Sequence, residues 1–204
     1  MEAATGSGRA LAGEKAARIV DAMRASVAER GTAGSTFDQV ARAAGVSRGL
    51  LHYYFGTKER LLVEVVRRDC EVRKGALAGA LAQASGADDV VAILAASLDE
   101  IVRNDPGFVT LVFELFVISR QHEDVAVEFA ELLRSLREQV ADVLAAKQAE
   151  GVLVLSAPPD AVADVIFSLG DGIMLRMVAD REHDFGPTIA AAVRSVRALL
   201  DDPA

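Results

Sequence analysis

The chain has 204 residues, 51% of them hydrophobic and 25% charged, with a formal net charge of −8, one cysteine and no tryptophan. That length supports one or two domains with a substantial core, and no apolar run approaches the roughly 18–20 residues that cross a bilayer. A single cysteine, Cys70, excludes an internal disulfide and fits a reducing, cytoplasmic setting; with no catalytic base patterned beside it, it reads as a packing residue.

Residues 1–13, M-E-A-A-T-G-S-G-R-A-L-A-G, lack the basic start and apolar stretch of a secretory signal and are expected to form a disordered lead. From about Glu14 to Arg30, apolar Ile19, Val20, Met23 and Val27 recur at helical spacing, and Gly31 should stop that helix. Thr36 with Gln39 three residues on is a capping box, opening a short helix that ends at Ala44-Gly45. Gly45-Val46-Ser47 turns the chain, Ser47 is a natural N-cap, and another short helix runs to about Phe55. Gly56 ends it, and Thr57 caps a helix reaching about Lys74.

The boundary between a first domain, 14–74, and a second, 75–204, is placed near Lys74–Leu81. Longer amphipathic helices follow, from about Asp88 to Asn104, from Pro106 through Arg120 and from Val125 to Glu150. Pro158-Pro159 opens one to about Ala179, and Gly186-Pro187 opens the last, to about Leu200. Val152–Leu155 reads as a short apolar connection, and no strand alternation of useful length occurs. The expected fold is all-α.

Two short capped helices joined by a glycine-containing turn form a helix-turn-helix, but such pairs also occur in proteins that never touch DNA. The outward surface discriminates. With Leu51 and Phe55 buried one turn apart, an advance of about 100° per residue puts Gly49, Leu50 and Tyr53 on the opposite side. Arg48 lies in the first turn and His52 on one flank. A helix in the major groove needs close backbone approach, which Gly49 permits. Arg48 can offer two parallel donors to guanine O6 and N7, Leu50 can meet a thymine methyl, and the Tyr53 and Tyr54 hydroxyls can reach phosphates. Lys58 adds a cation at the start of the next helix. The alternative is plainer: Tyr54 and Phe55 are core, and Tyr53 is a partly exposed aromatic. Charge is uneven along the chain, with 13 Lys/Arg against 9 Asp/Glu up to Lys74 and 9 against 21 beyond it, a net of +4 followed by −12. Only the front is therefore expected to meet an anionic partner.

The run T-F-D-Q-V-A-R-A-A-G-V-S-R-G-L-L-H-Y-Y-F-G-T-K-E-R-L-L resembles the DNA-binding segment of the tetracycline-repressor (TetR) family. That family joins an alanine-rich second helix to the pattern G-V-S-x-G-x-L-Y-x-[HY]-F and then a Lys-Glu pair. The resemblance covers about Glu14 to Lys74, and the later helices match in number, length and order. It implies a helix-turn-helix domain followed by a helical ligand-binding and dimerisation domain. The implied function is a homodimeric repressor that a ligand releases from a palindromic double-stranded operator, with no cofactor. By the same resemblance Thr36 braces phosphate. Ser47, Arg48, Gly49, Leu50 and Tyr53 face bases or nearby backbone, and Tyr54 and Lys58 hold phosphates. Two positions depart from the pattern. His52 stands where a phosphate-binding tyrosine is usual, and Leu50 where small or polar residues are frequent. His52 can still donate to phosphate.

The resemblance further implies that the second domain takes a small molecule and that its last two long helices form the dimer interface. The residues support such an interface. Val162, Val165, Ile166, Leu169 and Ile173 on one helix, with Val193, Val196 and Leu200 on the last, would make a four-helix bundle across a two-fold axis. The alternative is that these faces are intramolecular core. For the pocket, Phe108, Phe113, Phe116, Val117, Phe129, Phe167 and Met174 are expected walls, with Glu114, Arg120 and Asp171 as polar candidates. This suits a small, mainly apolar effector, and the absence of Trp and Tyr there counts against an aromatic cage for quaternary ammonium. His52, His122 and His183 form no metal spacing, and neither G-x-S-x-G nor a phosphate loop occurs. No catalytic or metal-binding residue is expected. A helical interaction module that does not touch DNA is the alternative function.

Overall fold

Alanine-rich stretches with apolar residues three and four apart favour helix over sheet. The computed structural model describes residues 3–201, with side chains from Gly13 onward. Among the described residues there are nine helices: α1 (Ala3–Gly34), α2 (Phe37–Ala44), α3 (Arg48–Phe55), α4 (Lys58–Ala82), α5 (Ala87–Asn104), α6 (Pro106–Ser119), α7 (Glu123–Ala149), α8 (Pro159–Ala179) and α9 (Gly186–Arg197). Two short strands, β1 (Val154–Leu155) and β2 (Leu200–Asp201), complete them.

Four expectations change. Helix α1 already includes Ala3 onward, inside the stretch expected to be a disordered lead; residues 1 and 2 lie outside the described residues. At Gly31, φ 71° breaks the helical path, which is where the sequence places the stop. Helix α4 continues past Lys74 to Ala82 through Gly75 and Gly79. Two glycines cost roughly 1 kcal/mol each, but the surrounding Ala and Leu favour helix and Leu81 is buried. The segment read as a connection forms a two-residue antiparallel ladder, Val154 opposite Asp201 and Leu155 opposite Leu200. This ladder takes the chain out of α9 at Arg197, short of the expected Leu200. A pairing of residues so far apart leaves no local pattern to read.

The chain divides into two compact units. The first comprises residues 1–68 and 114–129, and the second 69–113 and 130–204. The end of α6 and the start of α7 thus join the helix-turn-helix unit, although the sequence assigns them to the second domain. In the first unit Ile19, Val20, Met23, Phe37, Val40, Leu51, Leu61, Leu62 and Val66 are buried, and α1 and α3 both pack on α2. Glu128 of α7 lies between two arginines of α4, 3.4 Å from Arg60 and 3.1 Å from Arg67.

In the second unit α5 packs on α8 and α9. The core gathers Leu81, Val90, Val91, Val140, Leu144, Leu153, Val162, Ile166, Val196 and Leu200. Val162, Ile166, Val196 and Leu200, expected at a dimer interface, are therefore intramolecular core, and Ile173 is buried as well. Helix α8 is apolar on more than one side, and periodicity cannot tell a face covered by its own chain from one covered by a copy. Leu169 and Val193 are partly buried against the same core, whereas Val165 is 42% exposed.

Cys70 is buried in α4, and desolvation, followed by the charge of Asp69, pushes its thiol from 9.0 up to about 12. The folded chain therefore holds this proton to higher pH than the unfolded chain does. Its contribution to stability is full below about pH 9 and is lost as pH rises towards about 12. Native Cys70 is expected to resist a thiol reagent at neutral pH and to react quickly in denaturant. Denaturation midpoints measured between pH 9 and 12 should fall more steeply for the native sequence than for Cys70→Ala.

Candidate nucleic-acid interface

The first turn of α2 is held by a complete capping box. The Thr36 N–H and hydroxyl both donate to Gln39 Oε1 at 3.0 Å, and the Gln39 N–H donates back to Thr36 Oγ1 at 3.4 Å. The hydroxyl hydrogen of Thr36, expected to brace phosphate, is thus committed within the chain. Helix α2 ends at Gly45, whose φ of 65° is left-handed, and the Val46 N–H donates to the Ala41 carbonyl at 3.0 Å. That conformation is open to glycine and strained for most other residues. Ser47 occupies the N-cap position of α3, but its side chain makes no capping hydrogen bond; the Leu50 N–H instead donates to the Ser47 carbonyl at 3.0 Å. The hydroxyl expected to cap α3 is exposed instead.

Helix α3 has eight residues and one fully buried side chain, Leu51. Phe55 is half-buried rather than core. With Leu51 inward, Arg48, Gly49, His52 and Tyr53 are exposed, and Leu50, Tyr54 and Lys58 are half-buried. Tyr53 is 81% exposed, the largest value among the exposed large apolar and aromatic side chains. Its ring meets that of Tyr54 edge-on at 5.4 Å, so the two tyrosines brace each other on the surface. The His52 ring packs edge-on against Phe37 at 4.9 Å, with Nδ1 3.0 Å from the Gly56 carbonyl. A carbonyl only accepts, so Nδ1 carries the hydrogen and Nε2 is the atom left for a partner, an acceptor in the neutral ring and a donor to phosphate only in the imidazolium.

Within the chain, nothing requires Gly49 to be glycine. A Cβ built there would meet only Ser47 Oγ, at 4.0 Å. Arg48 is held: its Nη1 donates to both carboxylate oxygens of Asp38, at 3.3 and 3.2 Å. Asp38 escaped the sequence reading because it lies ten residues away on another helix, and no spacing rule links the two.

The residues expected to line an effector pocket are spread over both units. Phe108 and Phe129 are buried core, while Phe116 and Val117 are 53% and 58% exposed, which corrects their reading as pocket walls. Arg120 is exposed and Glu114 half-buried. In the second unit Phe113, Phe167 and Met174 are half-buried, and the Arg73 guanidinium lies 4.5 Å over the Phe108 ring. Asp171 keeps exposed surface, yet the protein around its carboxyl desolvates it and raises it above the ordinary carboxylate value. A cleft of about 290 Å³ in this unit is lined by Val102, Arg103, Met177, Arg181, His183 and Phe185, among others, and by none of the ten expected residues. No helix is long and apolar enough to cross a membrane, and no cluster of metal-ligating side chains occurs among the described residues.

A helix-turn-helix with an exposed, aromatic recognition surface, followed by further helices, defines the class as a helical DNA-binding transcriptional regulator. Residues 19–65 match the family model described as bacterial regulatory proteins, tetR family. Residues 86–201, more than half of the chain, match that of the BetI-type transcriptional repressor, C-terminal. The HTH-type transcriptional regulator BetI of Rhizobium meliloti is 38% identical over 80 residues, 39% of each chain. In that match the chain spans about two fifths of the relative's length. BetI of Brucella suis is 24% identical over 184 residues, 90% of this chain and 86% of its own. Among solved structures, a putative TetR-family regulator from Mesorhizobium loti superposes with a TM-score of 0.77 at 16% identity, covering 93% of this chain and 98% of its own. FadR from Bacillus subtilis, in complex with stearoyl-CoA, gives 0.70 at 16%, covering 89% and 97%. At such identities these two show the fold alone. The chain belongs to the tetR family of bacterial regulatory proteins.

Gly49 sits inside a helix with open space where a side chain would be. Gly49→Ala is therefore expected to raise stability by about 0.5–1 kcal/mol, read as an upward shift of the denaturation midpoint with an unchanged slope.

Proposed function

We propose that the chain is a homodimeric, ligand-released repressor that places α3 in the major groove of a near-palindromic operator and acts in the cytoplasm. The observation that carries this reading is the exposed face of α3. An 81% exposed tyrosine, an arginine and a glycine that costs helix stability are poor choices for a solvated surface and good ones for a groove. In this reading Arg48 reads a base, Gly49 permits close approach, and Leu50 meets an apolar base edge. Ser47, His52, Tyr53, Tyr54 and Lys58 hold backbone, and Thr36, whose N–H and hydroxyl both donate to Gln39 Oε1, can donate to a phosphate only by turning its hydroxyl away from Gln39. Lys58 forms no ion pair among the described residues, which suits a phosphate contact.

The proposed dimer face is the uncovered side of α8. Ala161, Val165, Ser168, Gly172, Leu175 and Ala179 are all exposed and recur at alternating steps of four and three, the spacing of a helix-pair seam. The small residues let a second copy approach closely, and Val165 and Leu175 supply apolar contact. Members of the family bind DNA and dimerise, consistent with this seam.

The proposed effector is small and mainly apolar, held in the second unit, with Asp171 as a polar handle. The fold accommodates stearoyl-CoA in Bacillus subtilis FadR. The net charge of −12 beyond Lys74 favours an apolar ligand over a polyanion here. Whatever its chemistry, the ligand releases DNA only through its difference in affinity between the bound and released states.

Selection of bound sites from random duplexes tests the reading directly, with a near-palindrome as the expected outcome. On the selected site Arg48→Ala should cost about 1–3 kcal/mol, mostly as lost base preference. Lys58→Ala should weaken all sequences alike and make the salt slope shallower by roughly one. Equal effects of both changes on selected and random duplex would overturn these roles. Val165→Asp should leave the single-chain fold intact, because the position is open in one copy, while placing two unpaired carboxylates in the seam. Sedimentation is expected to show monomers with weak operator binding; a variant that stays dimeric would place the interface elsewhere.

A further inference from the structure

We infer that Asp38 is a positioning residue that makes Arg48 selective, restraining its guanidinium and suppressing its attraction for random DNA. The inference rests on the proposed role of α3 and names a residue that contacts no base in that reading. Asp38 lies in the first turn of α2, on backbone fixed by the Thr36–Gln39 capping box. Its carboxylate is thus on a rigid mount. It receives Nη1 of Arg48 on both oxygens, and the two side chains remain 59% and 62% exposed. Arg42 lies one turn along α2 from Asp38, at the spacing that favours a pair within one helix, yet the ion pair runs to α3.

Three consequences follow from this geometry. A free arginine samples many rotamers, and holding Nη1 limits them before any duplex arrives. With Nη1 engaged, Nε and Nη2 form the remaining two-donor edge, the arrangement that matches guanine O6 and N7. A carboxylate beside Arg48 also cancels much of its pull on phosphates, which carry no sequence information. Random duplex then gains little from Arg48, while a site with guanine in register gains the paired contact.

The test compares Asp38→Asn, Asp38→Glu and Arg48→Ala in the full-length chain, on the site selected by the unmodified protein and on random duplex of equal length. An exposed ion pair is worth up to about 1 kcal/mol, so Asp38→Asn should bind random duplex roughly twofold to fivefold more tightly. Its salt slope should steepen by about one, and its base preference at the Arg48 position should fall. Asp38→Glu keeps the charge and should leave random-duplex affinity near the starting value. On the Asp38→Asn background, Arg48→Ala should cost less selectivity than it does alone. Uniform weakening on both duplexes with a lower melting temperature would assign Asp38 a structural role and overturn the inference, as would unchanged base preference in Asp38→Asn. Failure of the unmodified protein to select any site would instead remove the DNA reading, and this inference with it.

Discussion

Leu51 is the contact on which the presentation of α3 depends. An eight-residue helix is too short to persist by its own hydrogen bonds, and Leu51 is the one α3 side chain sealed from solvent. Once it is inward, helical geometry turns Gly49 and Tyr53 to the opposite side, while Arg48, in the first turn, keeps its long side chain in solvent. The left-handed Gly45 sets the angle at which α3 leaves α2, and the Phe37–His52 edge contact closes the far side. Every other property of the exposed face of α3 is subordinate to this seating.

Electrostatics divides the cations of the first unit into those that are matched and those that are open. Much of the positive charge of the first unit is engaged internally: Arg60 and Arg67 on Glu128, Arg68 on Asp21, Arg48 on Asp38. These are exposed or half-exposed pairs, each contributing little to stability. Their greater effect is on direction, since a paired guanidinium is aimed whereas a lone ammonium such as that of Lys58 is not. The modest excess of cations counted along the front of the chain therefore understates how selectively the charge is deployed.

The second unit follows a different constraint. Its apolar residues first supply its own core, in which Val162, Ile166, Val196 and Leu200 are consumed. What remains on the outside of α8 is a stripe of small residues punctuated by Val165 and Leu175. Such a stripe is weakly apolar yet sterically open, and its close approach would bring dispersion contacts that bulky residues prevent. In the same unit the protein around the Asp171 carboxyl desolvates it and raises it, and the charge of Asp171 adds a small part to the desolvation that raises the buried Cys70 thiol.

The sequence by itself determined what local geometry and chemistry decide. The capping box at Thr36–Gln39, the turn at Gly45, the seating of Leu51 and the exposure of Tyr53 were legible because each depends on residues within one or two helical turns. So were the helix order and the family, which rest on a contiguous run. Tertiary structure alone decided whatever joins distant parts of the chain. The Asp38–Arg48 pair spans two helices, the β1–β2 ladder joins residues 154–155 to 200–201, and the assignment of 114–129 to the first unit has no local signature. It also decided which apolar face of α8 the chain keeps for itself. Periodicity records that a side chain is apolar and which way it points around its own helix; which neighbour covers it depends on packing between elements, and no local pattern encodes that.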